Sequence, residues 1–158
     1  IKNGVIESPT PFFFGANPAK VQDGDKKGLR TLPEIEDLAR DLIASFNADN
    51  KKTALQEKHF AEVGEKAERA NVDKPVGVSY ATMTVESRNI LVKLVTAYAK
   101  RMPADVADKE LKKVADAGYD KVHFAYSGSP EPGKGWTYRV HGPTFVVEFL
   151  NIQADGSG

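Results

Sequence analysis

Three stretches of the chain carry apolar residues at helical spacing. In TLPEIEDLARDLIASFN, residues Leu32, Ile35, Leu38, Ala39, Leu42, Ile43 and Phe46 fall on one stripe, which predicts an amphipathic helix. Thr31 and Glu34 have the spacing of a capping box, and Pro33 sits in the first turn, where its missing N–H is tolerated. TVESRNILVKLVTAYAKRM sets Leu91, Leu94, Val95 and Tyr98 on one face, with Thr84 and Ser87 as alternative starts. A third helix is expected from near Pro103 to Ala117, with Gly118 as its stop. Asp105–Lys109 and Asp108–Lys112 have i,i+4 spacing and mark its wet face. Residues 47–75 are rich in Lys, Glu, Ala and Asn, and their apolar positions are sparse: Leu55, Phe60 and Val63. They read as loose surface helix or loop, and PVGVSYATM as a short apolar connection.

The two ends of the chain read as strand and turn. Asn3-Gly4 is a dipeptide favoured in two-residue hairpin turns, yet only Ile1 and Lys2 precede it. The chain therefore reads as beginning inside a hairpin, whose second strand Pro9 and Pro11 confine to an edge. FFFGANPAKVQDGDKKGLR is a loop punctuated by glycine and proline. In DKVHFAYSG, residues Val122, Phe124 and Tyr126 share one side, and TYRVHGPTFVVEFLNI forms a hairpin around Gly142-Pro143. The expected class is α+β: antiparallel β-hairpins at both ends of the chain form a sheet packed on about three helices. Residues 1–158 make one domain, with hairpin and loop in 1–30, helices in 31–118 and hairpin strands in 119–153.

The last hairpin carries the candidate chemistry. With Val140 opposite Phe145, one face holds Tyr138, Val140, Phe145, Val147 and Phe149, and goes to the core. The other holds Thr137, Arg139, His141, Thr144, Val146 and Glu148. Histidine binds metals and moves protons, a glutamate serves as base or ligand, and an arginine orients anions. Arg139, His141 and Glu148 are thus the candidate catalytic residues, and His141 with the weaker His123 the candidate metal ligands. The competing reading is a solvated face in which Arg139 and Glu148 form a diagonal cross-strand ion pair. One histidine and one carboxylate do not make a metal site by themselves. His59 receives no role, and FGANP reads as a turn rather than an anion cradle.

Composition removes several function classes. Lys+Arg and Asp+Glu each number 22, with no basic block, which argues against binding nucleic acid through its phosphates. No apolar run approaches the ~20 residues that span a bilayer. The absence of cysteine removes disulfides, thiolate metal sites and a cysteine nucleophile. There is no phosphate-binding loop, dinucleotide fingerprint, zincin motif or nucleophile elbow. The first residue is Ile1 rather than Met, so a leader removed by processing stays open, and with it both secretion and a cytoplasmic location.

Four stretches in order, NGVIESPTPFFFGANPAKVQDGDKKGLRTL, EDLARDLIASF, AGYDKVHFAYSGSPEPGKG and YRVHGPTFVVEFLNIQ, resemble the family grouped as domain of unknown function 3500. The resemblance implies a longer chain, with a paired-histidine strand before Ile1 and a histidine–x–histidine motif after Gln153. This chain then reads as an interior fragment whose partners include its own remaining segments. Asn151 and Gln153 match the family pattern, whereas Leu150 stands where that pattern has an acid. Extra histidines on neighbouring strands imply a nitrogen-rich site for zinc, copper or iron. Two functions follow as expectations. One is a metal-dependent enzyme acting on a small molecule, with a histidine-rich sheet face. The other is a non-catalytic secreted or surface domain that binds partners through its sheet edge.

Overall fold

The structure, a computed structural model, describes residues 3–4, 9–15, 17–61 and 74–152. Among these residues the chain forms four α-helices and a five-stranded mixed sheet, an α+β fold. Asn3 and Gly4 both take positive φ, as their hairpin-turn reading requires. The strands expected to flank them, like Val63 and Gln153, lie outside the described residues.

Helix α1 spans Pro33–Ser45 with Pro33 in its first turn. The expected capping box does not form: the N-cap is Leu32, without a side-chain hydrogen bond. Thr31 donates its own N–H to the Ala19 carbonyl at 2.9 Å, inside the preceding loop, and so stands outside the helix start. The apolar stripe is as read, with Ile35, Ala39, Leu42, Ile43 and Phe46 buried and Leu32 and Leu38 packed beside them. Helix α3, Val85–Ala99, begins at Thr84, whose hydroxyl accepts from the Ser87 N–H. It buries Leu91, Leu94 and Val95 against α1. Helix α4, Ala104–Ala117, ends at Gly118, where φ is +96°. That backbone conformation strains any residue with a Cβ, so glycine suits the stop. Its exposed face is paired otherwise than expected, through Lys112–Asp116 and Lys113–Glu110.

The region read as loose contains two ordered pieces. Helix α2, Ala48–Ala54, is capped by Asn47, and strand β1, Leu55–Gln56, follows directly. β1 runs parallel to β3, His123–Gly128, beside its C-terminal half. Strand β2, Val78–Ser79, comes from the apolar connection and pairs antiparallel with the N-terminal half of β3. The two short strands share one edge of β3, and β4, Trp136–Gly142, takes the other. β5, Phe145–Asn151, completes the sheet beyond β4.

The turn between β4 and β5 lies one residue later than expected, which shifts the pairing register by two. Gly142 faces Phe145, Val140 faces Val147, and the loop is Pro143-Thr144. Proline has no N–H to give a ladder and its φ is preset for a turn, so it sits in the loop and Gly142 joins the strand. A two-residue shift preserves the faces, so the assignment of side chains to core and polar sides stands.

The core face stacks aromatic rings across the strands. Tyr138 lies 4.9 Å from Phe149 at 9°, and 5.7 Å from Phe124. Both helices reach it with polar atoms: Tyr138 Oη shares a 2.7 Å hydrogen bond with Tyr98 Oη of α3, and donates to the Ile35 carbonyl of α1 at 3.2 Å. Burial raises both phenol pKa values, so the pair stays neutral.

Candidate functional site

The opposite face of the sheet is built in three rows. Register sets His123, His141 and Val146 side by side, then Ala125, Arg139 and Glu148, then Ser127, Thr137 and Leu150. Every sequence-predicted site residue therefore falls on this one face, spread over two adjacent rows.

The first row pairs the histidines directly. Residues opposite one another on neighbouring strands hold their Cβ atoms about 5 Å apart, within reach of two imidazoles converging on one ion. His123 Nδ1 lies 3.0 Å from the Lys121 carbonyl. A carbonyl only accepts, so Nδ1 carries the proton and Nε2 keeps its lone pair. His141 Nδ1 is buried and has no hydrogen-bond partner. Burial, then the Arg139 charge, then His123 lower the His141 pKa, which keeps its imidazole neutral near neutral pH. Imidazole nitrogens beside each other suit a borderline cation. Among the described residues no third His, Asp or Glu joins them to complete a metal cluster.

The second row is a closed ion pair. Arg139 donates to Glu148 Oε1 from Nε at 2.7 Å and from Nη2 at 2.5 Å. The side chains are only 13% and 7% exposed, so the pair is held largely away from water. The pairing is direct rather than diagonal, a consequence of the shifted turn. The Phe60 ring lies over the guanidinium at 4.4 Å.

The third row receives the residues around Phe60. His59 Nδ1 lies 2.8 Å from Ser127 Oγ, Ser127 Oγ lies 2.8 Å from Thr137 Oγ1, and the Phe60 N–H donates to Thr137 Oγ1 at 3.3 Å. Ser127 and Thr137 are buried polar residues without a charge to explain them. Sequence reasoning gave His59, Phe60 and Ser127 no role. Their signal is tertiary: Ser127 lies in β3, and His59 and Phe60 reach it only through β1, a two-residue strand too short to leave an alternating pattern.

Residues 2–156 match the model of a family described as a protein of unknown function, DUF3500. The chain belongs to that family. No curated protein and no solved structure matches it. Membership in DUF3500 supplies no activity, so the chemistry of the face has to be argued from its own geometry. The described residues also hold no helix long and apolar enough to cross a membrane.

Proposed function

We propose that the chain carries part of a divalent transition-metal site, with His123 and His141 as ligands, and serves a metal-dependent enzyme acting on a small molecule. The observation that carries this reading is the register that sets the two histidines opposite each other. The Lys121 carbonyl on His123 and the buried, unpartnered Nδ1 of His141 support it. Zinc, copper and iron all suit imidazole nitrogen. Two ligands are half of a protein site, so the remainder comes from solvent or from other groups of the protein. When bound, such an ion supplies a Lewis acid for activating water or oxygen. Arg139 and Glu148, one row away, satisfy each other as they stand. In this reading they hold the face's charge in place, and engage an anionic substrate or a proton only when the pair opens.

Titration of the metal-free protein with zinc against a chromophoric chelator tests the proposal. One zinc per chain, weakened at least tenfold by His123→Ala and by His141→Ala, supports it. Equal binding by the wild type and both variants, or no binding at all, rules the site out.

One observation favours a second reading. Among the described residues β5, Phe145–Asn151, pairs only with β4 and so stands at the margin of the sheet. A strand at a sheet's margin can take a strand from a partner chain, as a non-catalytic binding domain would use it. Light scattering across a concentration series tests for such association.

A further inference from the structure

We infer that the dipeptide His59-Phe60 is a latched strap that closes the polar face over the Arg139–Glu148 pair. That it regulates a metal site rests on the proposal above; the latch itself does not. The chain leaves β1 at Gln56, which pairs with Ser127, and then crosses from β3 toward β4. Its contacts mark the path: His59 on Ser127, the Phe60 N–H on Thr137, and the Phe60 ring on Arg139. The hydrogen bonds run head to tail. Phe60 N–H donates to Thr137 Oγ1, Thr137 O–H to Ser127 Oγ, and Ser127 O–H to His59 Nδ1. In this assignment each hydroxyl donates once and accepts once, so both buried groups are satisfied. The circuit begins and ends in the same dipeptide and passes through the sheet between.

The sheet is shaped to receive it. A Cβ on Gly128 would stand 2.9 Å from His59 Cε1 and 2.4 Å from the Gly135 carbonyl, and φ there is +79°. Only glycine leaves His59 room and adopts that backbone. The strap is nonetheless light. His59 is exposed, and the strap adds only one aromatic ring and two hydrogen bonds to the face. Such an element opens more readily than the sheet it lies on. Lifting it exposes the Arg139 guanidinium, whose in-plane N–H groups beyond those on Glu148 can then meet an incoming anion.

Phenylglyoxal modification of each arginine, followed by peptide mass spectrometry on the folded protein, reads the strap directly, with Arg88 as internal reference. Arg139 is expected to react slowly in the wild type. Ser127→Ala and His59→Leu each break the circuit and should speed Arg139 about tenfold, the effect of one hydrogen bond. His59→Asn offers an acceptor oxygen where Nδ1 stands and should stay within about twofold of wild type. Since His59 is exposed, its variants serve even if Ser127→Ala fails to fold. An unchanged Arg139 rate in His59→Leu, or an equal rise in His59→Asn, overturns the latch. Zinc titration of His123→Ala, which leaves the strap intact, separates this result from the metal reading. If no zinc binds but labelling follows the pattern above, the latch stands and only its link to a metal falls.

Discussion

The two faces of one sheet solve opposite problems. The core face packs Phe124, Tyr126, Trp136, Tyr138 and Phe149 under α1 and α3, and the helices supply the partners of its buried Tyr138 hydroxyl. The other face has no helix on it among the described residues. It gathers two histidines, an ion pair and two buried hydroxyls under a dipeptide. The first arrangement is held by buried area, and the second by specific partners. On the second face, strands fixed by the first present polar groups in set rows.

Breaking the core face should have the largest effect. Phe124→Ala removes a fully buried ring at the centre of the sheet and should cost about 3–5 kcal/mol in denaturant unfolding. The polar face should respond differently. Glu148→Gln strands the buried Arg139 charge and should cost about 3 kcal/mol, whereas the double change Arg139→Met, Glu148→Leu should cost much less than that single one. A double-mutant cycle measures the difference, and equal costs would mean that the pair is solvated. Tyr138→Phe separates area from partners on the core face itself. It keeps the ring and loses the hydroxyl shared with Tyr98 and Ile35, for about 1 kcal/mol.

The smallest expected effect is a pH dependence. The His141 pKa is lowered in the folded state, so the unfolded chain binds the proton more readily. Its share of stability is intact above the unfolded value of about 6.5 and is lost as pH falls from there through the folded pKa. Urea melts between pH 7.5 and 5 should show that loss, and His141→Asn should flatten it.

Much of this was legible in the sequence. The α1 stripe and the stop of α4 at Gly118 follow from local rules, which narrowed the start of α3 to Thr84 or Ser87 without choosing between them. The two faces of the last hairpin were legible because side chains alternate: a register two residues off leaves them unchanged. The facing of His123 and His141 was not. It depends on the register across the long turn between β3 and β4, which no spacing rule fixes. β1 and β2 were invisible because two residues cannot show a period of two, and β3 supplies their hydrogen bonds. The strap was hidden for the same reason. His59 and Phe60 sit in a charged stretch and gain meaning only from Ser127, Thr137 and Arg139, remote in the chain.

The most direct test of the account is nitrogen NMR of the imidazole rings during a zinc titration. The chain has only three histidines, so each ring can be followed separately. The account predicts that His123 and His141 shift together and saturate at the same zinc equivalent, His123 through Nε2, while His59 keeps its resonances. Unmoved His123 and His141 rings, or rings that respond independently at different zinc concentrations, would contradict a shared site on the polar face.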